Sequence, residues 1–178
     1  MDFNFTQQQE EMRTHLESFL NKICPEEYVE KCDKDGVPPY EAYKELCDAG
    51  WLGLIIPEEY GGLSLPISAG SAILEEIHRS GGNAAACHAQ MYTMGTVLRH
   101  GSDSQKKQYL PAIADGSLRL QAFGVTEPTS GTDTTALRTT AQRDGDEYVV
   151  NGQKVWTSRA EYSDLMLLLA RTTPLDQC

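Results

Sequence analysis

The hydrophobic period of this chain changes once, near Gly116, and that change limits the fold to a helical part followed by a β part. Before Gly116 the apolar residues recur at helical spacing. Thr6 with Gln9 forms a capping-box pair, and Met12, Leu16, Phe19, Leu20 and Ile23 follow on one face, until Pro25 ends or kinks the helix. A second helix is predicted from Pro39 to Ala49, started by Pro38-Pro39 and stopped by Gly50. The stretch from Trp51 to Gly62 reads as a connector whose apolar residues plug the helical core. Further helices are predicted over Ser68 to Arg79 and Ala84 to His100. A last one is opened by the Ser102/Gln105 pair and runs through Ala114, with a kink or break at Pro111.

After Gly116 the signals are those of strands and turns. Leu118 to Val125, Leu137 to Arg143 and Glu147 to Val150 read as strands, with Asp144-Gly145 as a turn. Asn151-Gly152 is a two-residue hairpin signal leading into a strand over Gln153 to Thr157. Leu165 to Ala170 is an unbroken apolar run, expected as a strand buried on both faces. The fold class is therefore α+β: an all-helical domain over residues 1–116, then an antiparallel β-domain over 117–178. About sixty residues and some five strands make a small open sheet with unpaired edges, so the β-domain reads as incomplete.

Bulk properties narrow the function. A net charge of −11 with no basic stripe argues against nucleic-acid binding. Five cysteines without a C-x-x-C pair, and four histidines without ligand spacing, point to free thiols and no metal site. No apolar run approaches a membrane span and the first residues carry no basic signal region, so a soluble, cytoplasmic protein is expected.

The chemistry is concentrated in two short segments. Gln121 to Asp133 runs from an apolar strand into a loop of Thr, Ser, Gly and Asp, where free N–H groups and hydroxyls suit a phosphate or a polar ring edge. Gly131 lets backbone approach a ligand closely. Asn151 to Ser158 then brings a large aromatic, Trp156, followed by two hydroxyls. In order and separation these segments resemble the acyl-CoA dehydrogenase family, whose pattern is aromatic-small-Val-Thr-Glu-Pro-x-x-Gly-Ser/Thr-Asp, then Asn-Gly-x-Lys-x-Trp and hydroxyls. Gly50, Gly53, Pro57, Gly61 and Gly62 also resemble a recurrent glycine-proline segment of that family.

The resemblance implies a helical N-terminal domain leading into a β-barrel-like middle domain, of which this chain covers a part, with a helical C-terminal domain beyond it. It implies FAD as cofactor, an acyl-CoA substrate, electron transfer to an electron-transfer flavoprotein, and a homotetramer. Phe123, Gly124 and Val125 would contact the flavin, and Thr126 would meet its pyrimidine edge. Gly131 and Thr132 would approach the FAD pyrophosphate and the CoA moiety. Trp156 would flank the isoalloxazine, Ser158 would donate near N5, and Thr157 would contact it mainly through backbone.

On the fourth predicted helix, Cys87, His88, Met91 and Tyr92 would line the acyl pocket; ordinary packing is the competing reading for each. Trp156 could equally be a core aromatic of the β-domain. Glu127 and Asp133 read as loop-fixing and capping residues, and Glu75-Glu76 as solvated charge. The family's base is a glutamate of the C-terminal domain, and no residue of this chain matches its motif, so no catalytic residue is assigned. Two other functions remain open: a flavin oxidase or monooxygenase of the same fold, and a short non-catalytic chain that binds flavin or a partner.

Overall fold

The computed structural model describes residues 4–174. It divides between Leu118 and Arg119 into two compact units.

The first unit is helical. Helix α1 (Gln7–Ile23) opens with the expected capping box, in which the Gln9 N–H donates to Thr6 Oγ1 and the Thr6 N–H donates to Gln9 Oε1 at 2.9 Å. Its apolar stripe buries Leu16 and Leu20 completely. Burying each such side chain contributes about 1.5–3 kcal/mol, and the stripe packs into one core with Ile73 and Ile77 of α4 (Ile67–Arg79). Pro25 does end α1, yet a new helix, α2 (Glu26–Asp35), starts immediately behind it.

Helix α3 (Tyr40–Asp48) buries Ala42, Tyr43, Leu46 and Cys47. The connector plugs the core as expected, with Leu52, Leu54 and Ile56 buried. Its fold depends on Gly62, where a Cβ would lie 2.0 Å from the Ile56 carbonyl oxygen and 2.4 Å from that of Gly53. Helix α5 (Ala85–His100) packs against α6 (Asp103–Ala114). The Ser102/Gln105 capping box forms. The expected break at Pro111 does not occur: the ring sits in the last turn, close to the end of the helix, and the turn closes behind it through Asp115 N–H to Pro111 O at 3.1 Å.

The charged pair Glu75-Glu76 also departs from expectation. Glu75 is exposed, but Glu76 is buried. Its carboxylate accepts from Arg79 Nε at 3.0 Å and Nη2 at 2.6 Å, and Arg13 Nε stands 3.4 Å away. Adjacent helix positions face different ways, and Arg79 of the same helix, with Arg13 of α1 nearby, makes the buried one tolerable.

Among the described residues the second unit holds four short strands in two pairs. β2 (Thr140–Asp144) and β3 (Glu147–Asn151) form an antiparallel hairpin about Gly145-Asp146, with Ala141 opposite Val150. β1 (Leu120–Gly124) and β4 (Leu165–Leu168) are parallel, with Phe123 opposite Leu167. The α+β class holds, and the pairing of this second pair differs from the antiparallel expectation. Arg119 sets its direction, because its N–H and guanidinium both grip Asp164 (2.8 and 3.0 Å), fixing the two strand starts at one end. The pairs are joined through Arg171, whose carbonyl accepts from the Ala141 N–H at 2.7 Å.

Two strand expectations are corrected. β4 is not buried on both faces: Leu165, Met166 and Leu168 are each about two-fifths exposed, and among the described residues the strand pairs with β1 alone. Gln153 to Thr157 forms no strand, and Asn151-Gly152 is no hairpin turn.

Candidate functional site

The two motif segments lie side by side in the second unit. Val155 N–H donates to the Thr126 carbonyl at 2.8 Å, joining Phe123–Thr126 to the segment that carries Trp156. Gly152 brings the chain against Thr139, where a Cβ would sit 2.3 Å from Oγ1. Two residues on, the Lys154 side chain turns inward and donates to Val125 O and Glu127 Oε1, both at 2.9 Å. This inward pull explains the missing strand, as does Trp156, whose φ of 60° no strand accommodates.

Glu127 is the hub of the arrangement. Oε2 accepts from the Arg138 N–H at 2.7 Å, and Oε1 from the Thr139 N–H at 2.8 Å as well as from Lys154. Burial alone would raise its pKa. The donors from Thr139, Arg138 and Lys154 outweigh that and hold the carboxyl at about 2. A carboxylate so tied is a poor proton acceptor, and the loop-fixing role expected for Glu127 agrees with this geometry. Glu76 is similarly committed to arginines. Asp133 caps its loop, as expected, through the Thr135 N–H at 3.0 Å and hydroxyl at 2.5 Å.

What the segments present to solvent is apolar surface with hydroxyls beside it. Trp156 is 88% exposed, which removes its reading as a core aromatic of the described unit. A left-handed conformation in a non-glycine residue costs roughly 1–2 kcal/mol, so this indole is held outward against backbone preference. Phe123 is 39% exposed. Gly124 is buried, Val125 and Thr126 are half-buried, and Gly131 and Thr132 lie on the exposed loop. Thr157 is half-buried and Ser158 exposed, and no hydrogen bond among the described residues engages the Thr126, Thr157 or Ser158 hydroxyl. An exposed ring face, uncommitted hydroxyls and a glycine-bearing loop fit a planar cofactor with a phosphate-bearing tail.

In the helical unit, Cys87 and Met91 are buried in the core, which is the packing reading for both. His88 and Tyr92 are exposed on α5, ring centroids 5.4 Å apart and edge-on. A cavity of about 760 Å³ in this unit lies between α1 and the connector and includes Met12, Trp51 and Leu65 in its wall. The connector glycines Gly50, Gly53, Gly61 and Gly62 line it, and none of the residues expected to contact flavin or the acyl chain does. No group of three or more possible metal ligands occurs among the described residues.

The sequence assigns no role to Lys154 or Arg159. Lys154 stands inside the Asn-Gly-x-Lys-x-Trp pattern, and that spacing is the only signal for it. Arg159 Nε donates to Gln121 Oε1 at 2.7 Å, a contact across 38 residues that no local pattern reveals.

Comparison with known proteins covers both units of the chain. Residues 6–117 match the family model described as "Acyl-CoA dehydrogenase, N-terminal domain", and residues 122–177 match "Acyl-CoA dehydrogenase, middle domain". The acyl-CoA dehydrogenase FadE29 of Mycobacterium tuberculosis is 40% identical over 178 residues, covering 98% of this chain and 45% of the relative. The glutaryl-CoA dehydrogenase of Desulfococcus multivorans is 35% identical over 97% of this chain and 45% of its own length. The solved structure of the ChsE4-ChsE5 complex from Mycobacterium tuberculosis superposes with a TM-score of 0.81 at 37% identity, covering 98% of this chain and 45% of that one. The chain thus spans somewhat less than half the length of these relatives.

Proposed function

This chain belongs to the acyl-CoA dehydrogenase family, and from that premise we propose that it carries the flavin-facing part of an FAD-dependent acyl-CoA dehydrogenase. The observation that carries the reading is the pairing of Phe123–Thr126 with Trp156–Ser158 through Val155 N–H and Thr126 O. Bound there, FAD would supply the hydride acceptor needed to convert an acyl-CoA thioester into its 2-enoyl form. The Trp156 indole offers a flat apolar face for the ring, and Ser158 a hydroxyl donor at its edge. Thr126 offers a second hydroxyl for the polar edge, with Phe123, Gly124, Val125 and Thr157 as further ring contacts. Gly131 and Thr132 form the loop for the pyrophosphate and the CoA moiety. His88, Met91 and Tyr92 are proposed to bear on the acyl chain, Met91 from within the core.

The α-proton must go to a base. Glu76 and Glu127 are held by cations and N–H donors, so neither serves. The proposal assigns flavin binding to these residues and the base to a residue outside them. An electron-transfer flavoprotein as acceptor, homo-oligomeric assembly and a cytoplasmic setting belong to this same reading; no helix among the described residues is long and apolar enough to cross a membrane. The test is a pair of assays on the purified chain. Saturable FAD binding without dehydrogenation of any acyl-CoA is expected. Turnover of an acyl-CoA would contradict the assignment of the base elsewhere, and oxygen consumption with acyl-CoA would favour an oxidase.

A further inference from the structure

Trp156 is held outward in a left-handed conformation, so something must hold it. Its own side chain is 88% exposed and supplies little packing. The flanking residues provide the restraint, and they do so symmetrically. On the N-terminal side, the Lys154 side chain is 8% exposed and reaches the carbonyl of Val125, one residue past β1, and the Glu127 carboxylate. On the C-terminal side, Arg159 donates through Nε to Gln121, a fully buried side chain within β1. The Val155 N–H bond to Thr126 O lies between the two. Beyond Arg159 the chain is braced again, Ser163 Oγ donating to its carbonyl at 2.9 Å.

We propose that Lys154 and Arg159 are positioning residues: they suspend Val155–Ser158 between two anchors at the two ends of β1, and so present the Trp156 indole and the Ser158 hydroxyl in one fixed arrangement. For its functional consequence this rests on the flavin reading above. The anchors suit the task. Each is a cation whose bond to an oxygen lies in a water-poor setting, where charge-assisted bonds are strong. Arg159 Nη2 and Gln121 Nε2 are buried with no hydrogen-bond partner among the described residues. Leaving those two donors unmatched costs stability, so the contact fixes geometry at an energetic cost. Lys154 meets the ring-facing set at the Val125 carbonyl, Arg159 bonds to Gln121 outside that set, and both hold Trp156 through the intervening backbone.

The test uses the full chain with Trp51→Phe, so that Trp156 is the sole indole. Hydrogen exchange and Trp156 anisotropy are measured in this background and in Lys154→Met, Arg159→Ala and Arg159→Lys. The proposal expects exchange over residues 153–160 to quicken by about tenfold or more in Lys154→Met and Arg159→Ala. Anisotropy should fall alongside, the helical unit should be unchanged, and Arg159→Lys should recover most of the protection. Unchanged exchange over 153–160 overturns it. So does a uniform rise across the whole second unit, which would mark the two residues as general stabilisers. FAD titration of the same proteins is separate: a parent that binds no FAD defeats the flavin reading and leaves the exchange result to decide the positioning claim.

Discussion

Glu127 shows how one side chain can be essential to a site without doing its chemistry. Its two oxygens satisfy two backbone N–H groups and a buried ammonium. An amide in its place must turn an NH2 group toward one of those donors. Glu127→Gln should therefore destabilise the second unit by about 1–3 kcal/mol, read as a shift in its denaturant midpoint. The charge also sets a pH response. The folded pKa, about 2, lies below the ordinary 4.5, so this stabilisation is complete above 4.5 and disappears as pH falls toward 2. Asp164, lowered by Arg119, contributes in the same direction. The acid slope of the second unit should flatten in Glu127→Gln without vanishing; an unchanged slope would remove Glu127 from the account. Glu76 makes the matching case in the helical unit. Removing it leaves Arg13 and Arg79 facing the core edge, so Glu76→Ala should cost about 2–3 kcal/mol, below the value for a fully buried pair because Arg79 is half-exposed.

At the scale of elements, legibility followed the range of the interactions. The caps at Thr6/Gln9 and Ser102/Gln105 are read directly, because a capping box is complete within four residues. Helix α2 has no sequence prediction because none of its residues is buried: Glu30–Lys34 and Lys31–Asp35 pairs cover it, and only Tyr28 and Val29 touch the core. Periodicity cannot see a helix without an apolar stripe. The direction of β4 against β1 is set by Arg119 and Asp164, 45 residues apart, and the loss of a strand at Gln153–Thr157 by Lys154 and Glu127. These side-chain bonds are long-range, and local propensity yields to them. The connector is the opposite case, since its glycine spacing is visible and its reason is steric. Gly62→Ala must push a Cβ into two carbonyls, and should destabilise the helical unit by more than about 2 kcal/mol. Wild-type stability in that variant would mean that the connector can shift.

For the whole molecule, the site residues fall in two groups. The motif residues proposed to face the flavin, Phe123 to Thr132 and Trp156 to Ser158, are written in order by the family pattern. What the pattern leaves out is how they are held: Trp156 left-handed, Glu127 as hub, Lys154 and Arg159 at the ends. His88 and Tyr92 on one side of α5, with Met91 buried on another, show that one helix serves both packing and surface. Glu76 and Glu127 are committed to cations and N–H donors, and the proposed chemistry assigns its base to neither. The most direct measurement is an equilibrium titration of the chain, carrying Trp51→Phe, with FAD, followed by Trp156 fluorescence and by the flavin absorption band. The account predicts saturable quenching with a perturbed flavin spectrum, both lost in Trp156→Ala. Unquenched Trp156 emission and an unshifted band up to millimolar FAD would contradict it.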